Sequence, residues 1–180
     1  MLINLVKGVK MKLKLILPPN YLDSIDAPLI FLAGPIQGAD NWQKEAIQII
    51  QSIAPELYIA SPRRPLTTKG EFTQDMYNEQ VDWETYHLRK AGENGVIMFW
   101  LAKEFEHICD RAYAQTTRFE LAEWKMRHER DGSELVVGIE KGYTGSKYIV
   151  RRLSQDCPKV PILHSLIDTC TKAIELARLK

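Results

Sequence analysis

VIMFWL at residues 96–101, the loop Ala102–Ala112, and TTRFELAEW at residues 116–124 form the stretch on which the fold reading turns. The first segment is an unbroken apolar run, rich in β-branched and aromatic side chains. It is short for a helix and lacks the alternation of a half-exposed strand, so it predicts a strand covered on both faces. The segment Tyr113–Glu129 has helical spacing, with Thr117, Glu120 and Trp124 at i, i+3 and i+7 on one face. A doubly covered strand followed by a helix is the repeating unit of a parallel α/β sheet.

The pattern repeats on either side. Further strands are predicted at Leu13–Leu17, Leu29–Ala33, Leu57–Ala60, Leu135–Ile139 and Pro161–Leu163. Further helices are predicted at Asn41–Ile53, Gln74–Ala91, Ser146–Gln155 and Ser165–Arg178. From Leu29 onward the two kinds of segment alternate, which implies right-handed crossovers and a doubly wound, three-layer α/β fold of about five strands. No Pro/Gly/Ser linker and no repeat divides the chain. Residues 1–27 read as an N-terminal extension with an edge strand, and residues 28–180 as a single domain.

The bulk composition narrows the ligand. The chain has 180 residues, with 24 basic and 23 acidic side chains and a net charge of +1. This balance provides no electrostatic footprint for nucleic acid or an anionic membrane, so a small molecule is the expected partner. The cysteines, Cys109, Cys157 and Cys170, are odd in number and lack metal spacing, which fits free thiols in a reducing, cytoplasmic setting. The N-terminal stretch mixes Lys with apolar residues and predicts neither a membrane span nor a signal peptide. His87, His107, His128 and His164 are scattered, and no HExxH or serine nucleophile elbow is present, so no metal is expected.

Ligands of doubly wound folds bind beyond the carboxyl ends of the strands, so the loops that follow strands carry the candidate site. Gly34-Pro35-Ile36-Gln37-Gly38 permits a sharp turn and close backbone approach, without the spacing of a dinucleotide or Walker motif. Arg63 and Arg64 stand between two prolines, a placement that suits a phosphate or carboxylate as well as a solvated surface. On the helix Gln74–Ala91, the positions Tyr77, Val81, Glu84, Leu88 and Ala91 predict a buried stripe that Glu84 interrupts. A carboxylate there must be paired, protonated or open to a cavity. Asp82 lies to one side of that face. Glu120 is placed near its helix start at the sheet's carboxyl edge, where the helix dipole favours an ionised carboxylate able to act as a nucleophile.

Together the blocks IFLAGPI (30–36) with Trp42-Gln43, SPRRP (61–65), QVDWE (80–84) with Leu88, VIMFW (96–100) and TTRFELAEW (116–124) resemble the nucleoside 2-deoxyribosyltransferase-like family. The resemblance implies a flavodoxin-like parallel sheet and attack of a Glu nucleophile on C1′ of a 2′-deoxynucleoside. The released base is then replaced by a second base or by water. Glu120 takes the nucleophile's place and Glu84 that of the second acid. Gly34, Pro35 and Ile36 take that of the ligand-approaching loop, with Trp42, Arg63, Arg64, Asp82 and Thr117 as further substrate-binding positions. No cofactor is implied, and a homo-oligomer is. The chemistry is the two-carboxylate plan of retaining glycosidases, in which an oxocarbenium-like state is stabilised by an anion.

The chain departs from the family pattern in having Ala122 where Gly is usual, Glu84 where Asp is usual, and a Gly-Glu-Asn-Gly stretch (92–95) that reads as a longer turn. The readings kept open are a deoxyribosyltransferase or N-deoxyribosyl hydrolase, a 5′-monophosphate N-glycosidase gripping phosphate through Arg63 or Arg64, and a nucleotide-binding module without turnover. Trp124 and the C-terminal helix are both open as subunit contact surfaces, and the sequence does not choose between them.

Overall fold

β4 (Gly95–Leu101) runs through the middle of the sheet and is buried at every residue, as its unbroken apolar sequence demands. The computed structural model of the chain describes residues 14–22, 24–65, 73–109 and 111–180. Around β4 stand β1 (Leu15–Ile16), β2 (Leu29–Ala33), β3 (Tyr58–Ala60), β5 (Leu135–Ile139) and β6 (Ile162–Leu163). The helices are α1 (Trp42–Ile53), α2 (Gln74–Glu93), α3 (Gln115–Asp131), α4 (Ser146–Asp156) and α5 (Leu166–Ala177).

The strands form one six-stranded sheet in the order β1-β3-β2-β4-β5-β6, and every pairing is parallel. The order from β3 to β6 is the flavodoxin-like one. The sixth strand, beyond the expected five, is β1, which pairs with β3 at the edge through Leu15–Ile59 and Ile16–Ala60. Leu13, the first residue of the predicted edge strand, lies outside the described residues.

The period-2 geometry of the strands sorts the core into two layers. Ile30, Leu32, Val96, Met98 and Val136 face α1 and α5. Phe31, Ala33, Ile97, Phe99, Leu135 and Val137 face α2, α3 and α4. The chain passes from β2 to β3 on one side and then runs through β4 to β6 on the other. The carboxyl ends of β2 and β4 therefore flank the switch point where such folds bind ligands.

α2 corrects the sequence reading in two ways. Its buried residues are Trp83, His87, Leu88 and Ala91, whereas Tyr77 and Val81 are 55% and 42% exposed. The expected stripe is thus rotated. The first turns of α2 line a cleft instead of the core, and the large aromatic Trp83 fills the core against Phe31, with its Nε1 donating to Asn20 O at 2.7 Å. In addition, Gly92 and Glu93 are helical and Asn94 caps α2, so the Gly-Glu-Asn-Gly stretch is not a long turn. Gly92 is small because α3 comes close: a Cβ there would lie 2.5 Å from Trp124 Cζ3. Trp124 is accordingly 3% exposed and spent on this contact, which removes it as a subunit contact surface.

Candidate active site

A cleft of about 890 Å³ opens at the carboxyl edge of β2, β3 and β4. Its first wall is the loop Gly34–Gly38. Gly34 has φ +155, and any Cβ on it would strike Trp100 O and the Trp42 ring, so only glycine fits this turn. Gly34, Pro35 and Ile36 line the cleft. Trp42 does not. It is buried behind the loop, and its Nε1 donates to Pro35 O at 2.9 Å, so it braces the wall from outside.

The second wall follows β3. Arg63 Nε donates to Gln43 Oε1 at 3.0 Å, and its Nη2 donates to Ile36 O at 3.1 Å and Asp40 O at 3.3 Å. Arg63 thereby ties this loop to the first one. Arg64 turns the other way, pairing with Glu79 Oε2 at 2.6 Å and donating through Nε to Gln80 Oε1 at 2.7 Å. Both arginines line the cleft, but each already holds protein acceptors.

The third wall is made by α2 and α3. Glu84 and Glu120 both line the cleft, and both also line an adjoining cavity of about 800 Å³ between the two helices. The glutamates therefore stand where the two spaces meet. Glu84 Oε1 accepts from Gln80 Nε2 at 2.8 Å. Burial raises the Glu84 pKa, against the opposing effects of the Gln80 hydrogen bond and the Arg64 charge. Among the described residues no side chain hydrogen-bonds the Glu120 carboxylate. Burial, followed by the charges of Glu84 and Glu123, pushes its pKa up to about 8.

The Glu120 result corrects the expectation of an ionised carboxylate at a helix start. α3 begins at Gln115, so Glu120 lies in its second turn. The dipole effect fades within the first turn, and desolvation then dominates.

Thr117 is buried and lines the cleft. Asp82 is exposed on α2 and is absent from the lining; its one-residue step from Trp83 aims it at solvent. Ala122 is likewise exposed and off the cleft, so its methyl group does not narrow the pocket.

Gln43, Ser61, Gln80 and Tyr113 line the cleft and were given no role from the sequence. Gln43, Ser61 and Gln80 carried a signal, their places in matching blocks, and Tyr113 carried none. The Tyr113 hydroxyl lies 2.7 Å from Ala102 O as its donor, and burial raises its pKa.

Among the described residues no cluster of three or more His, Cys, Asp or Glu side chains is arranged to hold a metal ion. No helix among them is long and apolar enough to cross a membrane.

A family model described as nucleoside 2-deoxyribosyltransferase like matches residues 27–143, a span that includes all three cleft walls. No curated protein matches the chain.

Proposed function

The chain belongs to the nucleoside 2-deoxyribosyltransferase-like family, and we propose that it breaks the N-glycosidic bond of a 2′-deoxynucleoside through Glu120. The observation that carries this reading is the meeting of two carboxyl groups, from α2 and α3, in one cleft but in unlike surroundings. Two carboxyl groups that face one ligand share a proton, so that one serves as acid while the other is the anion.

The raised pKa of Glu120 means that the pair holds one proton near neutral pH. In the reactive arrangement that proton sits on Glu84 and Glu120 is the anion. A Glu120 oxygen attacks C1′ as the C1′–N bond breaks, and the bonding electrons leave with the base. The Glu84 proton passes to a base nitrogen. In the second half, an incoming base or water attacks C1′, its proton goes to Glu84, and the Glu120 carboxylate departs. The cleft is large enough to hold sugar and base together.

Tyr77, Val81 and Phe119 form exposed apolar surface at the cavity between α2 and α3. This surface supports a homo-oligomer in which a second copy covers that side of the site.

Incubation with the common deoxynucleosides, with chromatographic detection of free or exchanged base, tests the reading. Release that disappears in Glu120→Ala is expected. No release or exchange from any of them, with or without a 5′-phosphate, sinks it.

A further inference from the structure

In the cleft wall formed by α1 and the end of β3, two polar atoms have no partner among the described residues. Gln43 and Ser61 are each 1% exposed, and neither Gln43 Nε2 nor Ser61 Oγ makes a hydrogen bond among the described residues. Both residues line the cleft. A buried donor left unmade is costly, which marks these atoms as prepared for a ligand.

The orientation of Gln43 is set by Arg63. Its Oε1 accepts from Arg63 Nε at 3.0 Å, which leaves the amide NH₂ as the free end. Arg63 is part-buried, and its other acceptors, Ile36 O and Asp40 O, are neutral carbonyls. Among the described residues it has no carboxylate partner. An uncompensated cation thus donates to the Gln43 amide oxygen and polarises the N–H groups at the other end of that amide. Arg64, by contrast, is neutralised by Glu79.

We infer that Gln43 and Ser61, polarised by Arg63, form a recognition floor for a carbonyl oxygen on the leaving base. The inference rests on the proposed function and names its substrate class: deoxynucleosides of oxo-bearing bases, such as a 6-oxopurine. The chemistry fits in two respects. Gln43 Nε2 can only donate, so it accepts an oxo group and repels an amino group at the same place. As the C1′–N bond breaks, negative charge spreads onto the base carbonyl, and the Arg63-backed donors stabilise it there. Glu120, Gln43 and Ser61 line the same cleft.

The test uses the full chain and the pair deoxyinosine and deoxyadenosine, which differ at purine C6 in carrying oxo or amino. The unaltered protein is expected to favour deoxyinosine by about tenfold or more in kcat/KM. Gln43→Leu should collapse that ratio, and Ser61→Ala should lower it in the same direction, with melting curves reporting that each variant folds. Equal losses for both substrates, or no loss, overturn the inference, because a merely structural role or a water-filled floor would not move the ratio. A preference for 5′-monophosphates that the same substitutions abolish also overturns it, since the floor would then hold phosphate. Calorimetry with free hypoxanthine and adenine separates this inference from the proposed function. If the protein cleaves no nucleoside, hypoxanthine binding that is lost in Gln43→Leu supports the floor alone, and no hypoxanthine binding overturns both.

Discussion

Gln80 Nε2 donates to Glu84 Oε1 at 2.8 Å, and this bond distinguishes two glutamates that share one cleft. The Gln80 amide is held from both ends. Its Oε1 accepts from Arg64 Nε at 2.7 Å, and its Nε2 also donates to Pro62 O at 2.8 Å. The donor end is therefore always presented to Glu84. Glu120 has no such partner among the described residues, and burial pushes its pKa up to about 8. Replacing Gln80 by Leu removes the donor and raises the Glu84 pKa further. The acid limb of the kcat/KM profile should move to higher pH. A pH profile of Gln80→Leu superimposable on that of the unaltered protein would rule this out.

The pH dependence follows from the same pair. In the proposed mechanism the active form holds one proton between Glu84 and Glu120, and Glu120 has its pKa pushed up to about 8. Above that pH both carboxylates are ionised and no acid remains for the leaving base. Below the Glu84 pKa both are protonated and no nucleophile remains. A bell-shaped kcat/KM profile with its alkaline limb near 8 is expected. Steady-state rates measured across that limb check it, and activity still climbing well above pH 8 would contradict the assignment.

Glu120 also sets a pH-dependent stability. Its folded-state pKa is raised, so below the ordinary carboxylate range both folded and unfolded chains are protonated and nothing is lost. As pH rises from there to about 8, the unfolded chain ionises while the folded one keeps its proton, and stability falls. Above about 8 the full cost of the buried anion is present. Glu120→Gln removes that cost. It should abolish turnover while raising stability by about 1–2 kcal/mol at pH above 8 and by less in acid. Thermal melting at two pH values reads the difference, and a gain that does not grow with pH would refute it.

Gly92 is a packing requirement inside a helix. Alanine has the better helix propensity by about 1 kcal/mol, but its Cβ would lie 2.5 Å from Trp124 Cζ3 and 2.9 Å from Cη2. Overpacking should win, so Gly92→Ala is expected to destabilise the fold by about 1–3 kcal/mol. Because α2 and α3 carry the two glutamates, it should lower activity as well. Urea denaturation measures the first effect, and a stabilised variant would show that the contact yields freely.

The apolar runs at Leu29–Ala33, Val96–Leu101 and Leu135–Ile139 were legible as doubly covered strands, because burial on both faces leaves no room for a polar residue. Their alternation with helical segments was enough for the parallel, three-layer order, since crossover handedness leaves few alternatives. The cleft loops were legible for the same reason: they follow strands.

What the sequence determined by itself, then, was the order of elements, the edge of the sheet at which the cleft opens and the family to which the chain belongs. The tertiary structure alone decided which side of α2 faces inward, because Trp83 and His87 are selected by cavities that distant strands create. It also decided that Gly92 is an interhelix contact and that Asp82 and Ala122 face solvent. Above all it decided the state of Glu120. Local sequence places a dipole near that carboxylate, but its proton affinity is governed by burial and by Glu84, thirty-six positions earlier in the chain and on another helix. Desolvation depends on every neighbour that excludes water, and those neighbours meet only when the chain is folded.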